Sequence, residues 1–309
     1  MAVDLSPIDE NLLATLTDSH GIPEGAYNIR KDGKLLTRHS SANIEISTKT
    51  DAPGIDIRIK PGTRGEKVYI PVIVSRAGVK DVVYNNFYIG EDCDVTIIAG
   101  CGIHSDSHEA SEHDGIHTFF VGKRSRVKYV ERHYGEGEGT GDRILNPVTK
   151  VYLEEGSLCE MEMTQLRGVT STVRDTDAEI GDEAKLILVE KLLTHDDQHA
   201  TSNMNIRLTG HDSNVQVVSR SVAQDRSVQV FNPLVTGEAA CHGHVQCDAI
   251  IQGSAVVKAV PGIEAAHEDA QLIHEAAIGK IAGEAIVKLM TLGLSEEEAE
   301  QEILDDFLS

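Results

Sequence analysis

Gly181-Asp182-Glu183-Ala184-Lys185-Leu186-Ile187-Leu188 decides the reading of this chain. A glycine opens a turn, charged residues carry it, and apolar side chains follow at alternate positions, Leu186 and Leu188, as one face of a strand requires. The same unit recurs at Gly90 with Val95 and Ile97, Gly122 with Val127 and Tyr129, Gly156 with Cys159, Met161 and Met163, and Gly210 with Val215 and Val217. The glycine spacing runs from 25 residues (Gly156 to Gly181) to 34 (Gly122 to Gly156), within the range of units that bury a face only by stacking on one another. This pattern predicts an all-β core, a right-handed parallel β-helix (solenoid). An antiparallel sandwich with similar turns is the competing reading.

On the N-terminal side, Ser6-Pro7 reads as an N-cap with proline at the first helical position, and Ile8, Leu12 and Leu16 follow at helical spacing. From Tyr27 the period changes to two, with a hairpin turn at Asp32-Gly33 and the alternations Ile44-Glu45-Ile46 and Ile55 to Ile59. Helical spacing returns only at the end, where Ile286, Leu289 and Met290 precede Gly293, and Ser295 with Glu298 forms a capping box for a helix carrying Ala299, Ile303 and Phe307. The expected organisation is a helical segment over 1–24, the β-helix core over 25–280 and C-terminal helices over 281–309. That terminal pair has more apolar surface than it can bury alone, so it docks on the solenoid or on a partner.

Composition narrows the function. The chain has 309 residues with 28 Lys and Arg against 50 Asp and Glu, a net charge of −22 that argues against a nucleic acid as partner. Aromatics are 4% and Trp is absent, so the core is built from Val, Ile, Leu and Ala, which suits narrow repeated layers. The five cysteines, an odd number without a Cys-x-x-Cys pair, read as free thiols of a reducing cytoplasm. Met1 to Leu13 lacks a basic segment followed by an apolar run, and nowhere do about 20 uncharged apolar residues follow one another, so neither export nor a membrane span is expected. Nucleophile elbows, phosphate loops and dinucleotide fingerprints are missing as well.

Three stretches carry chemical groups. His104, His108, His113 and His117 are interspersed with Asp106, Glu109, Glu112 and Asp114, a metal-like density, but the surrounding glycines and serines favour a solvated acidic loop. The glycine-rich Gly135 to Gly141 reads as a flexible loop. In Cys241-His242-Gly243-His244-Val245-Gln246-Cys247-Asp248, an extended chain puts Cys241, Val245 and Cys247 on one face and His242, His244 and Gln246 on the other, which disfavours a four-ligand zinc finger. His274 and Glu275 are adjacent, so a regular strand sends them to opposite faces and both reach one ion only through a bulge. Cys159, between Leu158 and Met161, reads as a small core hydrophobe.

Four stretches together resemble the SufB/SufD family, the β-helical scaffold proteins of Suf iron–sulfur cluster assembly. They are Gly115 to Gly122, Val245-Gln246-Cys247-Asp248, His274-Glu275-Ala276 running to Gly279-Lys280-Ile281, and Gly293 to Ala299. The resemblance implies a right-handed β-helix whose subunits pair through the core, C-terminal helices that bind the SufC ATPase, and a transient iron–sulfur cluster. It assigns sulfur acceptance and cluster ligation to Cys247, and interface ligation to His274 and Glu275, the SufD-type histidine and the SufB-type glutamate in one segment. Ile273 stands where SufB-like proteins often carry another glutamate. The expectation is a cytoplasmic, non-enzymatic scaffold, a homodimer bearing SufC-type ABC ATPase subunits and served by sulfur donor and cluster acceptor proteins, with Cys247 where two copies meet. The alternatives are a SufD-like ATPase-binding subunit without its own cluster, in which Cys247 is inert, and a β-helical carbohydrate-active enzyme.

Overall fold

The computed structural model describes residues 5–309, so residues 1–4 of the expected N-terminal segment lie outside the described residues. From Arg64 to Gly279 the chain winds between two sheets, laying one strand, or one strand in two pieces, on each sheet per coil. The first sheet receives Arg64–Val74, Asp94–His104, Arg126–Glu136, Leu158–Arg167, Lys185–Thr194, Ser213–Ala223, Cys241–Ile251 and Gln271–Gly279 in that order. Each pairs with the next in parallel, as a solenoid requires and an antiparallel sandwich forbids. The antiparallel exceptions are the two N-terminal hairpins, one turning at Asp32-Gly33 with φ of 49° and 77°, the geometry that favours Asp-Gly.

The repeat read from sequence is a physical register. Val95, Val127, Cys159, Leu186 and Val215 are consecutive partners in one inward row, and Ile97, Tyr129, Met161, Leu188 and Val217 form the next. Successive partners are 32 residues apart between Val95 and Val127 and 27 between Cys159 and Leu186. The wider glycine spacing arises at Gly156. The N–H groups of Gly90, Gly122 and Gly181 donate to the carbonyls of Ile59, Ile89 and Leu153 respectively, and the equivalent position in the intervening coil is Glu154, which donates to Val121. Gly156 instead belongs to a second stack at the same corner, Asp92, Arg124, Gly156, Glu183 and Asp212, with φ between 53° and 67°. The corner takes a left-handed residue in each of these five coils, and four of the five positions do so without glycine.

Two expectations are corrected here. Ser111–Val121 is a strand, with His113 and His117 on its inner phase and buried, so the solvated loop shrinks to residues 105–110. Gly135 and Glu136 end a strand rather than belonging to a loop, and Gly137 to Gly141 lies against the neighbouring coil. The N–H groups of Gly139 and Gly141 donate to Ser105 and Ser107 (3.0 and 2.9 Å), and a Cβ at Gly137, Gly139 or Gly141 would fall 2.2 to 2.4 Å from the backbone beneath.

Helix α1 (Pro7–Thr17) has a Ser6/Asp9 capping box and buries Leu12, Leu13 and Leu16, while Ile8 stays exposed. Helices α2 (Gly283–Met290) and α3 (Glu296–Leu308) close the chain. Leu304 and Leu308 of α3 cluster with Val222, with Leu193, Ile250 and Phe307 packed around them. Among the described residues no helix is long and apolar enough to cross a membrane.

Candidate functional site

The strand Cys241–Ile251 alternates as its sequence predicts: Cys241, Gly243, Val245, Cys247 and Ala249 point inward and are buried, while His242, His244, Gln246 and Asp248 point outward. Cys247 is 1% exposed, between Ser219 on one neighbouring strand and Ala276 on the other. Burial pushes its thiol up to about 11, and the carboxylates of Asp248 and Glu190 act in the same direction. All five cysteines are buried and free.

Gln271–Gly279 is the last strand of the first sheet. It pairs with Cys241–Ile251 without a register shift, Val245 opposite His274 and Gln246 opposite Glu275. Parity therefore decides which groups meet. His274 shares the inner face with Cys247, two register positions away, and its Nε2 is buried with no hydrogen-bond partner. Glu275 turns outward, where its Oε1 lies 2.9 Å from His244 Nε2. The structure thus brings Cys247 and His274 to one face and separates Glu275 from both within one copy. Because no coil follows, the last strand leaves Ala276 exposed although it sits on the inward phase, and Ile273 is 61% exposed.

A polar group in the interior escaped the sequence reading. Glu131, on the row that continues through Met163, Glu190 and Ser219 to Cys247, pairs with Arg174 inside the solenoid. Tyr129 Oη donates to Glu131 Oε1 (2.8 Å), His117 Nδ1 lies 2.8 Å from Tyr129 Oη, and Asn85 Nδ2 lies 3.2 Å from His117 Nε2. Burial alone would raise Glu131, but the Arg174 guanidinium, with His133 and His117, holds its carboxyl well below the usual range. Burial depresses His117 to about 4 and His133 to about 3, outweighing the attraction of Glu131. Glu190 is raised by burial and accepts a hydrogen bond from Ser202 Oγ (2.7 Å). The available signal was phase: Glu131 and Arg174 occupy apolar-phase positions of their strands.

Among the described residues, His195, Asp196 and Asp225 bring three donor atoms within 4.8 Å of one another. These groups already hold a corner: His195 Nδ1 lies 2.7 Å from Asp196, His195 Nε2 3.1 Å from Gln198, and Asp225 accepts the Asp196 N–H. At the C-terminus, α2 buries no side chain and leaves Val287 59% exposed, with Leu292 beyond it 77% exposed.

The chain is thus a β-solenoid whose last two strands bring a buried thiol and an unpartnered imidazole nitrogen to one inner face, next to a helical tail. Residues 84–307 match the family model described as SUF system FeS cluster assembly, SufBD core domain, and the chain belongs to that family, which places it in iron–sulfur cluster assembly. It is 28% identical over 281 residues to an iron–sulfur cluster assembly SufBD family protein of Archaeoglobus fulgidus, covering 89% of this chain and 73% of that one. It is 24% identical to one of Methanocaldococcus jannaschii (92% and 90%) and 27% identical to one of Methanothermobacter thermautotrophicus (83% and 62%).

Proposed function

We propose that this protein is a non-enzymatic, cytoplasmic scaffold on which an iron–sulfur cluster is built, working as a homodimer with SufC-type ABC ATPase subunits on its terminal helices. The observation that carries this reading is the buried, unpartnered Nε2 of His274 on the same inner face as Cys247. An imidazole nitrogen desolvated without a partner is costly, and a ligand is what offsets that cost. Cys247 takes sulfur when its thiolate attacks the outer sulfur of a donor persulfide: a new S–S bond forms on Cys247, and the donor leaves as thiolate. An external two-electron reductant then cleaves that S–S bond, releasing the outer sulfur as sulfide and restoring the Cys247 thiolate, and the thiolate and His274 hold iron and sulfide until the cluster passes to an acceptor protein. Glu275 joins this set only if the last strand bulges or a second copy supplies it.

The open last coil supports the homodimer, since terminal repeats of a solenoid need covering and a second copy covers both ends in one isologous contact. The exposed apolar face of α2 supports the ATPase partner. Leu304 and Leu308 rest on Val222, and Val222 is the register partner of Ile250, three residues beyond Cys247. Movement of the terminal helices by the ATPase therefore strains the strand that carries the thiol.

Anaerobic reconstitution of the Cys247→Ser variant with iron, sulfide donor and the ATPase tests the reading. Loss of the cluster absorption bands supports it, and a spectrum and sulfide content equal to those of the unsubstituted protein would overturn it. The near-complete burial of Cys247 favours one second reading, a SufD-like ATPase-binding subunit with an inert thiol, and that reading predicts the unchanged spectrum.

A further inference from the structure

We infer that the outer face over Cys241–Ile251 and Gln271–Gly279 carries a divalent transition-metal site formed by His242, His244 and Glu275, distinct from the interior thiol. His244 Nε2 and Glu275 Oε1 stand 2.9 Å apart across adjacent strands. Two donors each about 2.1 Å from one ion and roughly 90° apart are separated by about 3.0 Å, so the pair already has the spacing of two cis ligands. His242 projects from the same face two residues earlier, about 6.6 Å along the strand; its ring nitrogens do not complete a three-donor group within 4.8 Å in this conformation, and the exposed side chain would have to rotate about χ1 and χ2 to join the pair. The His-Gly-His sequence is thus a strand chelate whose third donor comes from the neighbouring strand.

The surroundings suit a cation. His242 lies between Asn214 and Gln271, and His244 between Gln216 and Ile273, so no lysine or arginine occupies the flanking register positions. The chain's charge of −22 draws cations toward every face. Two imidazoles and one carboxylate with open positions form the donor set that suits Fe(II). The identity of the ion as iron rests on the proposed function; the site itself does not. It and Cys247 lie on opposite faces of the same strand, so iron held outside needs only to pass the open edge of the last strand to meet sulfur held inside.

The test is titration of the metal-free full chain with Co2+, read by its d–d absorption, and anaerobically with Fe2+ against a colorimetric chelator. The expectation is one ion per chain, weakened at least tenfold by His242→Ala, by His244→Ala and by Glu275→Gln, and unchanged by His195→Ala. In the Co2+ form, contact-shifted imidazole N–H signals should number two, and one in either histidine variant. Absence of binding, undiminished affinity in the His242→Ala/His244→Ala double variant, or loss in His195→Ala would overturn the site. The outer site is read by ion binding to the chain alone and the scaffold reading by cluster formation in Cys247→Ser, so failure here and failure of the scaffold reading are distinguishable.

Discussion

Cys247 and His274 face the same interior from adjacent parallel strands, two register positions apart, the thiol sealed and the imidazole Nε2 without a partner. Burial keeps the thiol protonated in the isolated chain.

With its thiol pushed up to about 11, Cys247 is thiolate in roughly one molecule in 10⁴ at pH 7. Iodoacetamide at pH 7 should therefore leave the native isolated chain unmodified for hours, while the urea-unfolded chain takes five adducts by intact mass. ATPase binding with ATP should raise the Cys247 rate at least tenfold. Rapid labelling of Cys247 in the free native chain would show that its burial is not maintained.

The Glu131–Arg174 pair is fully internal, so removing one member strands the other's charge. Glu131→Gln should lower unfolding free energy by about 3–5 kcal/mol, and Glu131→Leu combined with Arg174→Met should recover much of that loss. Urea unfolding of Glu131→Leu, Arg174→Met and the double variant measures the coupling. Additive effects would mean that the two charges do not depend on each other.

Stability should fall on mild acidification. His117 and His133 titrate near 6.5 in the unfolded chain but at about 4 and about 3 when folded, so below pH 6.5 the unfolded state binds protons that the folded state refuses. The stabilisation is present above pH 6.5 and is lost as pH falls toward 4, by up to about 1.4 kcal/mol per pH unit for each imidazole. His117→Gln should reduce that slope between pH 6.5 and 4.5; an unaltered slope would assign the acid sensitivity elsewhere.

At the repeating corner, Glu183 holds φ of 53°, a conformation that costs an L-residue about 1–2 kcal/mol. Glu183→Gly relieves that strain at the expense of unfolded-state entropy, and a rise of about 1–3 °C in thermal midpoint is expected. Glu183→Val, β-branched at the same φ, should lower the midpoint. Calorimetry of both variants decides whether the left-handed stack is strained.

Side-chain alternation, a property of the local chain, determined much by itself. It placed the inward row Val95, Val127, Cys159, Leu186 and Val215, split Cys241 to Cys247 into thiol and imidazole faces, and sent His274 and Glu275 apart, because successive residues of a strand must point oppositely. Only the tertiary structure could decide what stood opposite. Coil-to-coil register, set by packing over sequence distances of about 30 residues, put His274 on the thiol's face and Glu275 against His244. It also turned His113, His117, Glu131 and Arg174 inward: a polar side chain on an apolar phase looks like a broken strand until its partners arrive from other coils, and hydrogen bonds between coils are what make its burial tolerable.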